Sequence, residues 1–123
     1  MNEFRFEVYK LLAEFIRLLN INDQRGLEDK FNVCNALAEE IQEVIREYYP
    51  GEGVSLGIAP FELAFLREKF KRPNIQLFEM NDGNGLGAEC VLWVDGKSSE
   101  PILHVEFFEQ DSNLKLQYKY IGS

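Results

Sequence analysis

Histidine occurs once in these 123 residues and cysteine twice, which closes off most metal and redox chemistry at the start. A single imidazole, with no CxxC or paired Cys/His spacing, cannot furnish the usual ligand set of a zinc site, and no cofactor motif is present. The thiols of Cys34 and Cys90 fall in apolar surroundings in different predicted elements, so two buried free cysteines are expected rather than a disulfide. Long apolar runs are missing too. The opening MNEFRFEVYK carries charges through its first turns, and nothing approaches the ~20 apolar residues that span a bilayer. Together these features predict a reducing, cytoplasmic setting with no membrane contact.

Cations are the other shortage: 13 Lys and Arg stand against 21 Asp and Glu, a formal charge of −8. Nucleic acid is bound chiefly through Lys and Arg that displace counterions, so this balance argues against it and equally against anionic membranes. A cationic protein partner is favoured, because complementary fields speed encounter and suppress wrong partners. The glycine-rich segment NDGNGLG lacks the lysine and hydroxyl residue of a phosphate loop and leads into no helix, which leaves a hairpin turn. A calcium loop would need more oxygen ligands at defined spacing.

Bulky apolar side chains are abundant: ten Phe, five Tyr and one Trp within a hydrophobic fraction of 46%. At this length a second core would leave each half too little surface to bury, so one domain spanning 1–123 is expected. From Glu3 to Asn20, Phe4, Val8, Leu11, Leu12, Phe15, Ile16 and Leu19 recur at helical spacing; from Leu27 to Tyr48 the same period predicts one longer helix ending before Pro50-Gly51. GEGVSLGIAP holds at most one short strand, and Pro60 to Lys71 reads as a third helix with Phe61, Phe65, Leu66 and Phe70 on one face. From Asn74 the period becomes two. IQLFEM, AECVLWV, ILHVEFFE and LKLQYKYI are separated by NDGNGLG, DGKSSEP and QDSN at hairpin spacing. The expected fold class is α+β: two to three N-terminal helices packed on a four-stranded antiparallel meander, with Leu114, Leu116, Tyr118 and Tyr120 on one face of the last strand.

Two constellations draw attention. Glu39, Glu43 and Glu47 recur every four residues with Glu40 beside them, so like charges stack along one helical ridge toward the end where the macrodipole disfavours them. Arg46 offers partial relief and a solvated helix face explains the same spacing, but a ridge that opposes helix stability is also a candidate site for a basic partner. On the sheet, His104 and Glu106 share a face that Glu89 can reach, and a histidine beside a carboxylate can serve as a general base; a solvated strand face explains the same pattern. No nucleophile accompanies them, since Ser98 and Ser99 fall in a predicted turn. Cys90, Leu92 and Val94 make the better inner face of their strand. That leaves Trp93 outside with Ile102, His104 and Phe108, either as an interface cluster or, in a strongly curved sheet, as a pocket wall. An exposed face of this kind also admits a homodimer. The cations Arg67, Lys69, Lys71 and Arg72 are explained as the C-terminal end of the third helix.

The acidic ridge Glu39-Glu40-Glu43-Glu47, the motif-free meander from Ile75 to Ile121 and the small size together resemble the acidic immunity proteins that bacteria make against secreted toxins, including those of contact-dependent inhibition systems. That resemblance implies a cytoplasmic, non-enzymatic protein that occludes a basic toxin through acidic and aromatic contacts. These proteins have unrelated folds, so the resemblance assigns no binding residue. The order of elements is also similar to the cone-shaped fold of nuclear transport factor 2 and its relatives, which implies a small-molecule or isomerase-like pocket and gives His104 and Glu106 a chemical role. The brief, Gly-flanked early strand departs from that pattern.

Overall fold

A computed structural model describes residues 2–51, 53–69, 71–80 and 85–123. Its elements run α1 (Asn2–Asn20), α2 (Gln24–Phe31), α3 (Asn35–Tyr48), β1 (Leu56–Gly57), α4 (Phe61–Ala64), β2 (Ile75–Glu79), β3 (Leu86–Val94), β4 (Lys97–Gln110) and β5 (Asn113–Gly122). The chain is α+β as expected, with helices first and an antiparallel sheet after. The four strands of the meander are joined by the short β1. It pairs Leu56 and Gly57 with Val94 and Trp93, on the edge of β3 whose other half takes β2.

Asp95 and Gly96 close the β3–β4 hairpin with φ of 52° and 82°, the left-handed pair that a two-residue turn requires. This tight turn makes β4 longer than DGKSSEP implied and moves Ser98 and Ser99 from the expected turn into the strand. Between the pairs Val91↔Ile102 and Trp93↔Ser98 the register shifts, and Leu92 faces a bulge of Ser99, Glu100 and Pro101. A bulge tolerates a proline without an N–H. Ser99 Oγ donates to the Leu92 carbonyl at 2.6 Å and shares a 2.5 Å hydrogen bond with the Tyr49 hydroxyl.

A second bulge corrects the reading of β5. His104 pairs with Tyr120 and Val105 with Tyr118, so Lys119 is an extra residue and the alternation reverses there. Leu116 and Ile121 are buried toward the helices and Leu114 and Tyr118 pack beside them, whereas Tyr120 crosses to the opposite face.

Helix α1 buries Val8, Leu12, Phe15, Ile16 and Leu19 against the inner sheet face of Ala88, Cys90, Leu92, Leu103, Val105 and Phe107. Phe15 meets Phe31 edge-on at 5.2 Å and stacks on Tyr118 at 5.8 Å. The long second helix of the sequence reading is two helices. Asn32 enters the left-handed region (φ 58°, ψ 34°) and its N–H returns to Glu28, while that of Val33 returns to Leu27. The break turns Val33 into the core and Cys34 out to solvent, so the expectation of two buried thiols holds for Cys90 alone. α1 and α2 are also tied through Glu14, which accepts from Arg17 and from Lys30.

The third predicted helix shrinks to the single turn α4. Phe61 packs on Phe6 and Tyr9 and meets Phe65, but Leu63 and Leu66 stay exposed, so no buried face extends the helix; Phe70 lies outside the described residues. Among the described residues no helix is long and apolar enough to cross a membrane.

Candidate functional site

Ala38 and Ile41 anchor α3 in the core, and helical geometry then turns Glu39, Glu40, Glu43 and Glu47 outward, where all four are exposed. None of the four forms an ion pair among the described residues, nor does Arg46; Glu14, Glu68, Glu89 and Glu106 all do. Stacked like charges at four-residue spacing cost about 0.2–0.5 kcal/mol per pair on an isolated helix, and the nearby C-terminus adds to the penalty. Glu39 and Glu43 border a shallow depression of about 360 Å³ with Asn20, Gln24 and Arg46. The charge of Glu40 reaches the sheet: the Tyr118 hydroxyl, pushed up to about 12 chiefly by burial, is raised further by it.

The outer sheet face carries a different arrangement. Glu89 Oε1 lies 2.5 Å from the Arg72 guanidinium, and its other oxygen is 3.8 Å from His104 Nδ1, beyond a hydrogen bond. Burial pulls the His104 pKa below its ordinary value, Glu89 opposes this and Arg72 reinforces it. Tyr120 stacks on the imidazole, and Glu106 pairs with Lys119 at 3.5 Å. The result is a neutral, half-covered imidazole beside a carboxylate already engaged by arginine, an arrangement poor in free basicity. Trp93 Nε1 donates to Asn74 Oδ1 at 2.9 Å and lines a cleft of about 390 Å³ with Leu66, Arg72 and Val91.

The predicted site residues therefore divide. Glu39, Glu40, Glu43 and Glu47 stand on the helical side of the sheet, and His104 and Glu106 on its other face. Trp93 pairs with Ser98, whereas Phe108 lies ten residues further along β4, on the order of 30 Å away at strand rise. The expected aromatic cluster of Trp93 and Phe108 does not form. A cone-type pocket would need His104 and Glu106 to face the space between sheet and helices; that space is filled by Leu12, Phe15 and their neighbours. Arg72, Asn74 and Tyr120 were missed as members of the outer-face network: Arg72 was read as the end of a helix that stops at Ala64, and no turn residue marks the bulge that redirects Tyr120. Among the described residues no three His, Cys, Asp or Glu side chains gather as a metal site would require.

No protein-family model matches the chain, and no curated protein or solved structure matches it.

Proposed function

We propose that the chain is a non-enzymatic protein-binding module that docks a basic partner on the outward face of α3, most concretely a cytoplasmic immunity protein that neutralises a basic toxin. One observation carries the reading: Glu39, Glu40, Glu43 and Glu47 are all exposed on one helix, where their charge opposes helix stability, and among the described residues none of the four forms an ion pair. A basic surface would relieve that repulsion on binding. The chain's charge of −8 would steer such a partner toward it. Screening over the ~8 Å Debye length of physiological salt makes the association salt-sensitive.

The test is capture from extract of the source cell, with the product of the neighbouring upstream gene included, using the native chain and a Glu39→Gln/Glu43→Gln/Glu47→Gln variant. A basic protein held by the native chain at low salt, released at high salt and not held by the variant is the expected result. Equal capture by both proteins removes the reading.

A further inference from the structure

β5 is an edge strand. Among the described residues it pairs with β4 alone, and no other backbone hydrogen bond reaches Asn113–Gly122. Alternate N–H and C=O groups of a ten-residue strand thus point away from the sheet without a backbone partner. Along this edge runs a groove of about 410 Å³ whose far wall is the α2–α3 turn. Four consecutive strand residues, Lys115 through Tyr118, line it. Neighbours on a strand point to opposite faces, so a groove touching all four takes in the strand's edge, and it reaches across the strand to Phe108 and Gln110 of β4.

The groove has an apolar lining, an acidic wall on the α2 side and one cation, Lys115, on the strand side. Phe31, Leu37, Tyr118 and the exposed Phe108 supply the apolar surface. Glu28 and Asp29, on the α2 side, form no ion pair among the described residues, while the neighbouring Lys30 is held by Glu14 and Lys119 by Glu106. Glu40 stands close enough to act on the Tyr118 hydroxyl. A free backbone edge, an apolar groove beside it and uncommitted carboxylates together describe a receptor for an extended chain with cationic side chains.

We propose that β5 accepts an extended, basic segment of a partner protein as an added strand. The inference deepens the basic-partner reading and rests on it. A second copy of the chain fits less well: self-pairing centred on Gln117 sets Lys115 against Lys119 of the other copy, and two chains of charge −8 repel.

The probe is the fluorescein-labelled peptide Lys-Val-Lys-Val-Lys-Val-Lys, compared with Lys-Pro-Lys-Pro-Lys-Pro-Lys, which has equal charge but cannot sustain a strand ladder. Polarisation is read with the full chain at low salt. The first peptide is expected to bind saturably and the second roughly tenfold more weakly, with a Glu28→Lys/Asp29→Lys variant losing about tenfold for the first. Backbone amides of Gln117 to Lys119 should exchange more slowly in the complex. The proposal is overturned by no binding of the first peptide, equal binding of both, or unchanged affinity in Glu28→Lys/Asp29→Lys. If equal binding of both peptides is lost instead on Glu39→Gln/Glu43→Gln/Glu47→Gln, strand addition fails while the α3 reading stands. Dimerisation of the free chain that Lys115→Glu strengthens would assign the edge to a second copy, and so also overturn it.

Discussion

Tyr120 lies flat on His104, with ring centroids 4.0 Å apart and planes 11° from parallel. The contact exists because Lys119 is an extra residue in β5; without the bulge Tyr120 would face the helices. The covering ring helps to desolvate the imidazole, and burial outweighs the opposing pull of Glu89.

The single histidine should accordingly titrate below the ordinary value of about 6.5. The folded-state pKa is the lower one, so just below pH ~6.5 the unfolded chain binds more protons than the folded. Stability therefore declines as pH falls through that value and levels off below the folded pKa. An NMR titration of the imidazole Cε1–H checks this: a midpoint below the ordinary value is expected, and Tyr120→Ala should raise it. The same variant removes an aromatic stack worth about 0.5–1.5 kcal/mol, toward the low end because Tyr120 is half exposed.

Asn20 closes the free edge of β1. Its Nδ2 donates to the Leu56 carbonyl at 2.7 Å and its Oδ1 accepts from the Leu56 N–H at 2.9 Å, so one carboxamide stands in for a neighbouring strand. Asn20→Ala should destabilise the chain by about 1–3 kcal/mol by leaving that backbone unsatisfied. Urea denaturation measures the loss, and the Leu56 amide should exchange markedly faster.

The two thiols should differ sharply in reactivity. Cys34 is exposed, whereas complete burial pushes the Cys90 thiol up to about 12. A thiol reagent should modify one equivalent in the native chain, at Cys34, and a second only after unfolding. Rapid labelling of both would contradict the packing of β3 against α1.

Phe15 is the side chain on which helices and sheet converge, fully buried between Phe31 and Tyr118. Phe15→Ala should cost about 3–5 kcal/mol, a large part of the ~5–15 kcal/mol that holds a domain of this size together. The urea midpoint should fall accordingly.

Features set by local periodicity are legible in the sequence. Val8, Leu12, Phe15 and Leu19 announced α1, Asp95-Gly96 announced its hairpin, and the change of period at Asn74 announced the sheet. Breaks that leave the period intact are not. Leu27, Phe31, Cys34, Leu37 and Ile41 keep helical spacing straight through the left-handed Asn32, which hid both the α2–α3 junction and the exposure of Cys34. Lys119 adds a residue to β5 without a turn residue to mark it, and that hid the fate of Tyr120. The acidic ridge was legible because spacing along one helix is a local property. The pairing of Arg72 with Glu89 and of Asn74 with Trp93 joins residues 17 and 19 positions apart, and only the folded chain brings them together.

The central claim is that the carboxylates of α3 guide a basic partner onto the chain. Its most direct test is the association rate constant for the captured partner, measured at several salt concentrations for the native chain and for Glu39→Gln/Glu43→Gln/Glu47→Gln, with circular dichroism confirming an intact fold. The account predicts that the variant associates roughly tenfold more slowly at low salt and loses most of its salt dependence. Association rates equal to those of the native chain at every salt concentration would contradict it.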